Sequence, residues 1–60
     1  MLLTDLNGEV FELKAKDIKE IHTRHGVKGD YTLIATEFQL YRVQETVPYI
    51  MKLIPQEKRS

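Results

Sequence analysis

Apolar and polar residues alternate along most of this chain, and the period of the alternation changes once. Leu2, Thr4 and Leu6 alternate with Leu3 and Asp5, and Glu9–Leu13 places Phe11 and Leu13 on one side and Val10 on the other. A period of two is the mark of a half-buried strand. Asn7 and Gly8 lie between these segments and tolerate the positive φ that both central positions of a two-residue type I′ turn require. Residues 1–13 therefore read as a β-hairpin turning at Asn7-Gly8. Lys14-Ala15-Lys16-Asp17 breaks the alternation as a polar turn. Ile18 and Ile21, three residues apart, predict one helical turn, after which the chain straightens over Ile21–Arg24. His25–Asp30, with glycines at 26 and 29, reads as a loop. Tyr31–Thr36 is rich in β-branched and aromatic residues and predicts a strand. Glu37-Phe38 is the expected reversal, and Gln39–Val43 forms a last strand with Leu40 and Arg42 opposed to Tyr41 and Val43.

Near Val47 the period becomes helical. Val47, Ile50, Met51 and Ile54 form one apolar stripe at i, i+3, i+4 and i+7. Thr46 suits the N-cap, Pro48 sits in the first turn where its missing N–H is harmless, and Pro55 is the expected stop. The fold expected is α+β: a small antiparallel sheet of four or five strands with one C-terminal helix packed on one face. It would form a single small domain over residues 1–55, with a polar tail over 56–60. The core candidates are Leu3 or Leu6, Phe11, Leu13, Ile18, Ile21, Leu33, Val43, Ile50 and Ile54. The opposite sheet face would carry Val10, Ile34, Leu40 and Tyr41. With Tyr49, which lies off the helical stripe, these are the expected interaction surface, because an uncovered apolar face on a small protein marks a binding or self-association surface.

Size sharpens that expectation. A chain of 60 residues buries only about 60% of the surface its unfolded form exposes. It has no cysteine, so neither disulfides nor thiolate metal ligands support it. Tight packing or a partner subunit must do so, which predicts a homodimer. Nine basic residues balance nine acidic ones, leaving no long-range attraction for nucleic acid or anionic membranes. Neither a membrane-spanning run nor a signal peptide is read in the sequence, so the expected location is the cytoplasm.

Candidate chemistry is sparse. His22 and His25 have a metal-like spacing but no cysteine beside them, and structural zinc wants four ligands; no metal or cofactor is expected. Ser60 is terminal, and no threonine has an evident histidine and carboxylate pair. Gly26 and Gly29 lack the strand–loop–helix context of a phosphate loop. Lys14, Lys16, Lys19, Arg24 and Lys28 form a loose basic series interrupted by Asp17, Glu20 and Asp30. Catalysis is not expected, and no catalytic residue is assigned.

Leu3-Thr4-Asp5-Leu6-Asn7-Gly8, Phe11-Glu12-Leu13 and Ile18-Lys19-Glu20-Ile21 resemble the opening of the FlbD family of small flagellar (swarming-motility) proteins. Val43-Gln44-Glu45-Thr46-Val47 with Ile50 and Ile54 is similar to that family's closing segment and helix. The chain has no proline between His22 and Asp30, and Glu37-Phe38 stands where the family has a turn glycine. The resemblance implies a non-catalytic, motility-linked protein partner. A phage-encoded inhibitor that blocks a host or defence protein is an alternative open to a chain of this size. A third is a nucleic-acid-binding regulator, since Asp17-Ile18, Tyr31–Val43 and Thr46–Pro55 resemble the N-terminal half of LytTR-type domains.

Overall fold

The first reversal is organised by one carboxylate. Asp5 Oδ1 accepts the N–H groups of Asn7 and Glu9, each at 2.9 Å. Asp5 O accepts Gly8 N–H at 3.1 Å, and Asp5 N–H donates to Glu9 O at 2.9 Å. Gly8 has a φ of +89°, whereas Asn7 has no positive φ. The loop is therefore the three residues Leu6-Asn7-Gly8, a type I turn closed by a glycine bulge, and not the two-residue type I′ turn expected. Aspartate favours the first position of a type I turn because its side chain caps the amides that follow. The flanking strands of this computed structural model, which describes residues 1–58, are β1 (Leu2–Thr4) and β2 (Val10–Glu12). They pair antiparallel with Leu3 opposite Phe11.

The helical turn expected at Ile18–Ile21 lies earlier, as a 3₁₀ turn over Ala15–Asp17. Ala15 is buried, so this segment is not simply a polar turn. Ile18 is extended, and Ile21 belongs to β3 (Glu20–Gly26). Lys19 N–H donates to Ala35 O at 2.8 Å although Glu20 is the register partner of Ala35. Two residues thus face one, and this irregularity turns Ile18 and Ile21 toward the same core despite their odd spacing.

β3 pairs with β4 (Gly29–Ala35) as far as Gly26↔Gly29. The loop expected over His25–Asp30 shrinks to the tip Val27-Lys28, and Gly29 takes a φ of +129°. The next reversal falls at Glu37-Phe38. Thr36 closes it: its N–H donates to Gln39 O at 2.9 Å, and its Oγ1 accepts Gln39 N–H at 3.1 Å. β5 (Leu40–Val43) follows.

The architecture is α+β, but the strands divide into two sheets, β1-β2 and β3-β4-β5, instead of one sheet of four or five. Among the described residues a single antiparallel bridge, Asp5↔Val43, joins them. Gln44 and Glu45 reinforce the joint. Gln44 N–H donates to Thr4 O at 2.8 Å, and Thr4 N–H donates to Glu45 Oε1 at 2.9 Å. Glu45 O accepts the hydroxyl of buried Thr32 at 2.6 Å.

The helix α1 spans Val47–Lys58. Thr46 caps it, with Oγ1 accepting Tyr49 N–H at 3.3 Å and O accepting Ile50 N–H at 3.0 Å. Pro55 lies inside the helix and does not end it. A proline there removes one ladder hydrogen bond and crowds the preceding turn. The segment beyond it is held by Glu57, whose Oε1 accepts Ala15 N–H at 2.7 Å and whose Oε2 accepts the α-amine of Met1 at 2.8 Å. Gln56–Lys58 thus continue the helix where a polar tail was expected; Arg59 and Ser60 lie outside the described residues.

The helix covers one face of the three-stranded sheet. Opposed residues of an antiparallel pair share a face. The inner rows are accordingly Ile21–Ile34–Tyr41 and Thr23–Thr32–Val43. Leu3, Leu13, Ile34, Val43 and Ile50 form the core, with Phe11, Ile18, Ile21, Tyr41 and Ile54 packed around it. Two expectations change. Leu6 is exposed, so Leu3 fills the core position. Ile34 and not Leu33 is the core residue of β4: Ile34 is 0% exposed, whereas Leu33 is half-buried on the outer face.

Candidate outer-face interaction site

Among the described residues, no helix lies over the outer face of the three-stranded sheet. Its rows, read from the register, are Arg24–Tyr31, His22–Leu33–Arg42 and Glu20–Ala35–Leu40. In β1-β2 the side away from the core carries Leu2, Thr4, Val10 and Glu12, because Leu3 and Phe11 turn inward. Leu40 is 66% exposed, Val10 63% and Leu6 48%.

A hollow of about 480 Å³ lies between the two hairpins, lined by Leu6, Tyr31, Arg42, Lys28 and the glycine-flanked tip of β3-β4. Each element contributes for a local reason. The Asp5-centred turn pushes Leu6 outward. Alternation sends Tyr31 and Arg42 to the outer face. Gly26 leaves room for the Tyr31 ring, since a Cβ there would approach Tyr31 Cε1 to 3.2 Å and Gly29 O to 3.1 Å. The hollow joins an apolar floor to the cationic side chains of Arg42 and Lys28, and the carboxylate of Asp30, 2.7 Å from His25 Nδ1, also belongs to its lining. A second, more polar hollow of about 360 Å³ lies at the other end of the sheet beside Phe38, Lys16 and Lys19.

The residues expected to form one interaction surface are dispersed. Val10 and Leu40 face outward. Ile34 is buried and cannot meet a partner in the folded chain. Tyr41 points inward and stacks on Phe11, with ring centroids 5.2 Å apart and planes 19° from parallel. Tyr49 is 47% exposed on the helix, which packs on the opposite side of the sheet. Sequence reasoning passed over Leu6, Arg42 and Gly26. Arg42 alternates with Tyr41 and Val43, which is a readable signal; the approach of Leu6 is set by the turn geometry alone.

The histidines do not converge. Both lie in β3, on opposite faces. His22 Nε2 meets Glu20 Oε1 at 3.0 Å, and His25 Nδ1 meets Asp30 Oδ1 at 2.7 Å. Among the described residues no group of three or more histidines and acids gathers in metal-binding geometry. The perturbed titrations belong to the helix clamp. The carboxylate of Glu57, and after it that of Glu12, raises the α-amine of Met1 above its usual range against an opposing effect of burial. The amine, and then the Ala15 N–H, holds Glu57 below the usual carboxylate range. Among the described residues no helix is long and apolar enough to cross a membrane. No family model, curated protein or solved structure matches the chain.

Proposed function

We propose that this chain is a non-catalytic protein-interaction module that receives a partner protein on the outer face of its sheets. The observation carrying this reading is the hollow between the hairpins, where Leu6 and Tyr31 supply apolar contact beside Arg42 and Lys28. Contiguous exposed apolar surface rimmed by charge is the usual composition of a protein-binding site, with tyrosine and arginine as its best anchors. The partner patch that fits is an apolar side chain with a carboxylate placed to meet Arg42, because Asp30 already supplies a carboxylate on the wall that holds Lys28. The resemblance to flagellar accessory proteins agrees with a binding role of this kind, and no step of chemistry is assigned to any side chain.

The test compares affinity capture by the intact chain with capture by Arg42→Glu and Leu6→Asp variants. Both positions are exposed, so the variants should melt within a few degrees of the parent. A protein retained by the parent and lost from both variants is the expected result. Identical capture by all three, or capture by none, would refute the reading. The Arg24–Tyr31 pair and Arg42 also give a nucleic-acid reading a specific footing. It predicts binding to single-stranded oligonucleotides that falls steeply with salt; salt-independent or absent binding favours the protein partner.

A further inference from the structure

β3 is a long strand with one side unpaired. It spans seven residues, Glu20–Gly26, and lies at the edge of its sheet, whereas the other outer strand of that sheet, β5, has only four residues. Among the described residues, no side-chain or non-ladder backbone hydrogen bond reaches the main chain of residues 20–26. Proteins usually protect such an edge with proline, a bulge or charges of one sign. Here the irregularity at Lys19–Glu20 lies at the entry to the strand, the register from Ile21 to Gly26 is regular, Glu20–Gly26 contains no proline, and its charges have opposite signs. Glu20, His22 and Arg24 alternate along one face. Glu20 meets His22, and Arg24 has no ion pair among the described residues.

We infer that β3 pairs antiparallel with β3 of a second copy, in a register centred on His22. A two-fold axis normal to the sheet keeps matching faces together, so a residue meets either itself or one an even number of positions away. Centring on His22 sets Glu20 opposite Arg24 of the second copy, twice, and Ile21 opposite Thr23. Centring on Thr23 would pair the whole strand but set Arg24 opposite His22 and Glu20 opposite Gly26, leaving both carboxylates without a cation. Opposite charges facing across strands are favourable and like charges are not, which selects the His22-centred register. The two three-stranded sheets become one six-stranded sheet, and the edge on each copy disappears. This assembly is separate from the outer-face hollow and does not depend on it.

The chain contains no native cysteine, so an introduced one reports without background. Directly opposed residues have Cα atoms about 4.5–5.5 Å apart, within the range that a disulfide spans. Under mild oxidation His22→Cys should form a covalent dimer, and Leu40→Cys, distant from the axis, should not. In sedimentation, Glu20→Arg and Arg24→Glu should each weaken dimerisation about tenfold, and the double exchange should restore it to within about threefold of the parent. Arg42→Glu should leave it unchanged. Circular dichroism verifies that each variant is folded. A monomeric parent at every concentration, cross-linking through Leu40→Cys but not His22→Cys, or failure of the charge exchange to restore the dimer would each overturn the proposal. None of those results bears on capture of a partner by the outer face.

Discussion

Ile34→Ala and Leu33→Ala are adjacent substitutions with sharply different expected costs. The Ile34 side chain is completely enclosed by the core, while Leu33 is half-buried on the uncovered face. Truncating Ile34 removes every carbon beyond Cβ, worth about 2.5 kcal/mol at ~0.8 kcal/mol per buried carbon. The cavity left against Leu3, Val43 and Ile50 raises this to about 3–4 kcal/mol. At ~0.05–0.15 kcal/mol per residue, the whole domain has only about 3–9 kcal/mol of stability. Ile34→Ala should therefore lower Tm by roughly 12–32 °C and, at the lower end of that stability range, unfold a substantial fraction at room temperature. Leu33→Ala keeps its surroundings hydrated and should cost about 1 kcal/mol, or roughly 4–8 °C. Urea titration followed by circular dichroism measures both, with the midpoint separating them while the slope stays constant. Equal losses, or a larger loss at Leu33, would mean that the register of β4 is wrong by one residue.

Three further outcomes follow from particular contacts. Gly8→Ala meets no atom within 4 Å but must adopt a φ near +89°; thermal melts should show a loss of about 1–2 kcal/mol from backbone strain alone, with Gly8→Asn costing less. Pro55→Ala restores a helical donor inside α1, so Tm should rise by the equivalent of about 1–3 kcal/mol; no gain would mean that the helix ends there. Glu57→Gln breaks the clamp. The amine, raised in the folded chain above its ordinary 8.0, contributes fully below pH 8.0 and loses its contribution as pH rises through the raised value. Glu57, lowered from 4.5, contributes above pH 4.5 and loses its contribution as pH falls through the lowered value. The difference in Tm between parent and Glu57→Gln should thus be widest from about pH 5 to 8 and narrow on both sides; a constant gap from pH 3 to 10 would contradict the clamp.

The outer-face site was only partly legible in the residues. Exposure of Val10 and Leu40 followed from alternation, which sets Val10 on the side away from Phe11 and Leu13, and Leu40 on the side away from Tyr41 and Val43. Tyr41 was misplaced because an aromatic residue suits either side of a strand, and only the ring of Phe11 across the sheet joint decides for it. The joint itself, made by Glu45 and Gln44 with Thr4 and Thr32, left no trace in the pattern. Polar residues in a connector look alike whether they face water or bond to a neighbouring strand.

Sequence alone determined the order of the main elements: strand alternation before Val43, a helical period from Val47, and reversals near Asn7-Gly8 and at Glu37-Phe38. These are local, set by φ preferences, amide capping and the alternation of side chains along a strand. Tertiary structure decided which side of β4 is the inside, since Leu33 and Ile34 are equally apolar and only pairing with β3 and β5 distinguishes them. It also decided that α1 runs through Pro55, because Glu57 reaches Ala15 and Met1 across the fold. And it divided five strands between two sheets joined by one bridge. Each of these depends on contacts between residues far apart in the chain, and a local pattern does not contain them.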